Sequence, residues 1–262
     1  MAMTKTQTGR WLEDLTWPEA DAWFRRDAVM MVPIGAASKE HGHHLPLCTD
    51  YLLARGICDG VLAQLPVLSA PVISFGYYPA FRHYPGSQHL EPETFAALLH
   101  DVLKGFIAQK LTRILVVNTG ISTEPIVNVT LRELYEHTGI RVAAAHISRL
   151  GKAADGLMEQ AHGGHGDEHE TALIQALAPE RIRAGKAEQD YGNLAAAPDT
   201  VFYLPTIFNP DPTSGIDYSK TGVRGDPTLA TEAKGKASLD ATVGDVVDGL
   251  RALWPEALKA PA

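Results

Sequence analysis

Residues 92–118, PETFAALLHDVLKGFIAQKLTRILVVN, decide the fold class. The first part, 92–109, carries Phe95, Leu98, Leu99, Val102 and Leu103 at i, i+3 and i+4 spacing, the apolar stripe of an amphipathic helix. The last part, 113–118 (RILVVN), is a short β-branched run that reads as a buried strand. The pattern repeats outward in both directions. Residues 28–33 (AVMMVP), 71–75 (PVISF) and 141–146 (RVAAAH) read as further strands, and 50–64 and 125–137 as further helices. Strand and helix in alternation predict an α/β protein with a mostly parallel sheet covered on both faces.

In such sheets the ligand crevice lies beyond the carboxyl ends of the strands. The loops 35–50, 76–87 and 119–124 each follow a strand, so all three are expected to meet at one rim. A helix over 168–177 is expected next, with Asp167 as its N-cap. Residues 192–225 are rich in Pro, Gly, Asp and Ser and too long for a simple connection, which predicts a lid or an interface loop. A final helix is expected near 226–253. Without an internal repeat or linker, 1–262 reads as a single domain that opens with an N-terminal arm over 1–27.

Composition narrows the function. The 262 residues include 23 Lys+Arg against 31 Asp+Glu, a formal charge of −8, with no concentrated basic patch, which argues against nucleic acid as a partner. No apolar run approaches the ~18 residues of a membrane span, and no signal peptide is apparent, so a cytoplasmic protein without a membrane partner is expected. Two cysteines, Cys48 and Cys58, are too few for a disulfide framework and read as packing residues.

Histidine is distributed unevenly. Six of the eleven fall in two windows, 41–44 and 162–169, and Glu40, Asp50, Asp167, Glu168 and Glu170 accompany them. Imidazoles and carboxylates on separate segments are what a Zn²⁺ or Mn²⁺ site requires. Tyr77, Tyr78, Phe81, Arg82, His83 and Tyr84 crowd the second loop, and the third offers Ser122, Thr123 and Glu124. Of these, Tyr78, Phe81, His83, Ser122 and Glu124 are the candidate substrate contacts. No G-x-S-x-G elbow is present.

The run Pro33 to Asp50, PIGAASKEHGHHLPLCTD, resembles the signature of the creatininase family, P-x-G-S-x-E-Q-H-G-P-H-L-P-x-x-T-D. Three later segments agree: YPGS at 84–87, HGDEHET at 165–171 and GVRGDPTLA at 222–230. The resemblance implies a three-layer α/β/α sandwich and a divalent-metal hydrolase of a C–N bond in a small cyclic amide, lactam or formamide. It also implies a homo-oligomer, a hexamer in relatives. By the same resemblance His41, Asp50 and Glu168 are expected to bind one or two ions of Zn²⁺ or Mn²⁺, with His165 a proton donor and Glu170 an orienting or basic group.

Two positions depart from the pattern. The family's ligand Glu falls on Lys39, and its N-G-H-G-G-N is NTGIST at 118–123, without the His. Either the loop bulges and Glu40 becomes a ligand, or Lys39 puts an ammonium where a second ion would be and joins the catalytic groups. Two other functions stay open: a metal-dependent hydrolase of a cyclic keto-polyol or lactone, and a metal-binding assembly protein whose catalytic set has decayed.

Overall fold

The computed structural model describes residues 8–193 and 201–258. Five strands, β1 (Arg10–Trp11), β2 (Met30–Ile34), β3 (Leu68–Ser69), β4 (Ile114–Asn118) and β5 (Ala143–His146), form one sheet. Their spatial order is β1, β3, β2, β4, β5, and every pairing is parallel. Six α-helices lie among the described residues: α1 (Trp17–Phe24), α2 (Thr49–Leu62), α3 (Pro92–Ala108), α4 (Glu124–Thr138), α5 (Glu168–Leu177) and α6 (Glu232–Leu253).

Alternation along the strands splits the core in two. Met31, Leu115 and Val117 face one way and pack with Ile57 and Val61 of α2 and Val243, Val246 and Val247 of α6. Met30, Val32, Ile34, Ile114 and Val116 face the other way, against Phe95, Leu99 and Leu103 of α3 and Val127 and Leu134 of α4. The result is the three-layer sandwich. Truncating one of the wholly buried leucines, such as Leu103, would cost about 2–5 kcal/mol.

The second strand is the element that differs from its sequence reading. Regular pairing covers Leu68–Ser69 and stops before Pro71. Ala70 N still donates to Met31 O at 2.8 Å, but the next bond runs from Ile73 N to Pro33 O at 2.9 Å, one residue later than a regular ladder requires. A bulge at 71–72 therefore separates β3 from a single bridge between Ile34 and Ile73. At the N-terminus, 10–24 add β1 to the sheet edge and α1 beside it. Residues 1–7 of the expected arm and 194–200 of the expected long loop lie outside the described residues. Among the described residues no helix is long and apolar enough to cross a membrane.

Candidate active site

The chain leaves β2 at Ile34 and doubles back over the start of α2. Gly35 permits the close approach, because a Cβ there would stand 2.3 Å from the Asp50 carbonyl oxygen. Lys39 N donates to Leu47 O at 3.0 Å and closes the loop, which returns Lys39, Glu40 and His41 above the first turn of α2. Asp50 waits there, fully buried, with Oδ2 2.7 Å from Lys39 Nζ and Oδ1 2.9 Å from His41 Nε2. Burial alone would raise the Asp50 carboxyl, yet the Lys39 ammonium holds it well below the usual carboxylate range.

Hydrogen bonding sets the direction of both histidines. His41 Nδ1 lies 2.9 Å from the Lys39 carbonyl, an acceptor, so that nitrogen carries the proton and donates. His165 Nε2 lies 2.7 Å from the Glu40 carbonyl and 3.1 Å from Glu40 Oε2, so it donates in the same way. Each imidazole then presents its other nitrogen to a carboxylate: His41 Nε2 to Asp50, and His165 Nδ1 to Glu170 Oε2 at 3.8 Å. One ligand atom each from His41, His165 and Glu170 falls within 4.8 Å of the others.

The field at this point is anionic. Glu40, Asp50 and Glu170 set against Lys39 leave two net negative charges while both imidazoles are neutral. Burial opposes a charge on His165, but Glu40 and Glu170 raise its pKa. Burial likewise opposes the Glu40 carboxylate, and His165 with the Gly42 amide lowers its pKa.

Distant segments brace the cluster. Gly222, at φ +85°, gives room for the Glu40 carboxylate, whose oxygen a Cβ would approach to 2.1 Å. Gly166 N donates to Glu170 Oε2 at 2.6 Å, and Asp167 caps α5 through the Glu170 amide at 3.0 Å. His165 pairs with Arg224 through two backbone bonds. Its ring packs on Phe81 at 4.1 Å between centroids, and Phe208 stacks behind Phe81 at 4.9 Å.

The structure thus brings together Lys39, Glu40, His41, Asp50, Phe81, His165 and Glu170. Tyr78 and Ser122 line a narrow cleft with Lys39, Asp50, Gly120 and Thr123. The Tyr78 hydroxyl donates to the Gln88 carbonyl, and burial pushes its pKa up. Three candidates stay apart. His83 is exposed and meets Arg82. Glu124 stands in the first turn of α4 with Oε1 buried and without a partner. Glu168 is buried elsewhere, accepting from Glu159 N and Gln160 N at 2.8 Å and paired with Lys234. Sequence reasoning does not single out Phe208, Gly222 or Arg224, although the last two lie in the GVRGDP motif at 222–227.

A parallel sheet between two helical layers, with an imidazole and carboxylate cluster at its rim, defines the class, a three-layer α/β/α protein with a candidate metal site. The chain belongs to the creatininase family, whose model, creatinine amidohydrolase, matches residues 13–250. It is 24% identical over 265 residues to the creatinine amidohydrolase of Pseudomonas putida, covering 92% of this chain and 96% of that one. It is 28% identical over 241 residues to the mycofactocin precursor peptide peptidase of Mycobacterium tuberculosis, covering 87% and 86%. Among solved structures, a manganese creatininase superimposes with a TM-score of 0.78 at 23% identity, covering 94% of this chain and 99% of that one. A mutant creatininase of Zn–Zn type gives 0.75 at 23% identity, covering 94% and 98%.

Proposed function

We propose that this protein hydrolyses a C–N bond of a small cyclic amide, lactam or formamide with the help of one zinc or manganese ion per chain. The observation that carries this reading is the convergence of the buried His41 and His165 with the half-buried Glu170 on one point. Two imidazoles and a carboxylate are the donor set of catalytic zinc sites that keep one position open. The two excess negative charges match a divalent ion, and each ring donates its other N–H to a carbonyl, the arrangement that orients a ligating histidine. When bound, such an ion would supply Lewis acidity, polarising a carbonyl oxygen and lowering the pKa of water to about 7.

In this reading His165 and Glu170 are ligands, Asp50 flanks His41, and Glu168 has no part in the site. Glu40 turns its carboxylate to His165 and the Gly42 amide, so it orients a ligand and is not one itself. Lys39 stands in for a second cation: Asp50 Oδ2, which would bridge to another ion by the family pattern, meets the ammonium. From the cleft, Lys39 is placed to give a proton to the leaving nitrogen, while Ser122 and Thr123 hold the polar edge of the substrate. Phe81 and Phe208 cover His165 and exclude water from it.

The hydroxyl-lined cleft also favours a second reading, hydrolysis of a cyclic keto-polyol or lactone. The mycobacterial relative, a precursor peptide peptidase, adds peptide C–N bonds to the classes worth testing. The deciding experiment loads purified protein with Mn²⁺ or Zn²⁺, counts ions by elemental analysis and screens cyclic amides, formamides, lactones and short peptides. One ion per chain with chelator-sensitive amide turnover is expected. Two ions, or turnover indifferent to chelator, would overturn the reading.

A further inference from the structure

Among the described residues β5 pairs only with β4, and between its outer edge and α4 lies a cavity of about 620 Å³. Leu131, Val142 and Ala144 contribute apolar surface to it, and Arg132, Arg141 and Arg149 line it as well. Glu136 is the one acidic residue in the lining. Three guanidiniums around one cavity are conspicuous in a chain with a net charge of −8. Among the described residues the side chains of Arg132 and Arg149 have neither a hydrogen bond nor an ion pair. Arg141 is set in place, its guanidinium carbon 4.5 Å above the Tyr135 ring and its Nη2 3.4 Å from the Tyr135 hydroxyl.

The remaining polar lining is built rather than incidental. His146, 6% exposed, donates from Nε2 to Asn128 Oδ1 at 3.0 Å and accepts at Nδ1 from Asn118 Nδ2 at 3.2 Å. The first bond fixes the Asn128 amide with Oδ1 occupied, leaving Nδ2 as a donor for a ligand. Burial keeps His146 neutral by lowering its pKa, so the wall carries no competing cation.

We infer that this cavity is a second ligand site, distinct from the His41 cluster, for a small molecule that joins an anionic carboxylate or phosphate group to an apolar body. Guanidinium forks match both oxyanions in bidentate geometry, which commits the site to that chemistry rather than to a cation or a neutral sugar. A volume in the few-hundred Å³ range of small-molecule pockets and an apolar portion of the lining add the demand for a body behind the charge. Asn118 also donates to the Gly120 carbonyl at 2.9 Å, and Gly120 lines the cleft beside Lys39. One histidine and one asparagine therefore separate the two sites.

Calorimetric titration of the intact chain with phenyl phosphate, benzoate and inorganic phosphate tests the inference. Saturable binding of phenyl phosphate or benzoate at one per chain is expected, weakened by salt and stronger than that of the inorganic ion. Arg132→Ala and Arg149→Ala should each weaken it at least tenfold, and Glu136→Gln should strengthen it, with circular dichroism unchanged in all three. Phenyl phosphate as the stronger of the two organic probes would assign a phosphate ester, and benzoate a carboxylate. No saturation at 10 mM (about the weakest affinity a pocketed ligand of this size would show), or binding that all three variants leave unchanged, would overturn it. So would a drop in oligomer mass on Arg132→Glu/Arg149→Glu without any probe binding, which would make the cavity a contact between copies.

Discussion

Lys39 Nζ stands 2.7 Å from Asp50 Oδ2, with the two side chains 7% and 1% exposed. A pair so deeply buried holds together because each charge is the other's only substitute for water on that side, and removing one partner strands the other at ~3–5 kcal/mol. Lys39→Met should therefore lower the stability of metal-free protein by about 3 kcal/mol, and adding Asp50→Asn should restore most of the loss. Urea denaturation of the single and double variants measures it. A double variant as unstable as the sum of its parts would show that the pair is not coupled.

The two carboxylates of the first turn of α5 make a sharper contrast. Glu170→Gln should leave the fold intact and weaken Zn²⁺ binding by tenfold or more, because Glu170 faces His165 and His41. Glu168→Gln should do the reverse, leaving ion affinity unchanged while loosening the contact of α5 with Lys234 of α6. Competition with a chromogenic chelator, run beside thermal melts, separates the two. Equal loss of ion affinity in both variants would put Glu168 back in the site.

That contrast marks the boundary of what can be read from residues alone. The helices were legible because their apolar periods are set locally, as in Phe95, Leu99 and Leu103, and the Asp167 cap lies three residues from the amide it accepts. Strand pairing near 68–73 was harder, since the bulge at 71–72 shifts the ladder without interrupting the apolar run. The choice between Glu168 and Glu170 was not local at all. Two positions apart on a helix they point about 200° away from each other, and it is Lys234, 66 residues from Glu168, that claims one of them. Phe208 reaches Phe81 from a segment with no periodicity, so neither alternation nor spacing singles it out.

Gly222 should tolerate no side chain. Its φ of +85° strains any L residue, and a Cβ would meet the Glu40 carboxylate, which has nowhere to move while it holds His165 and the Gly42 amide. Gly222→Ala is expected to cost about 1–3 kcal/mol and to weaken ion binding through the displaced ring of His165. Normal ion affinity in a folded Gly222→Ala variant would show that Glu40 does not orient that ring.

His44 should make the protein acid-sensitive before its carboxylates do. It is wholly buried, with Nε2 2.8 Å from Thr171 Oγ1 and Nδ1 without a partner. Burial lowers its pKa from 6.5 to about 4, against the opposing pull of Glu170 and Glu40. The unfolded chain therefore binds this proton near pH 6.5 and the native one only near 4. Between those values unfolding takes up a proton, so stability falls as pH falls, with a limiting slope of ~1.4 kcal/mol per pH unit. His165 does not confuse the window, because its raised pKa moves its own contribution above pH 6.5, where stability is gained on acidification. His146, lowered by burial, acts in the same direction as His44, so a difference measurement is needed. Urea midpoints at pH 7.0, 5.5 and 4.5 should fall less steeply in His44→Gln than in the unaltered chain. Parallel slopes would mean that His44 is protonated in the native state despite its burial.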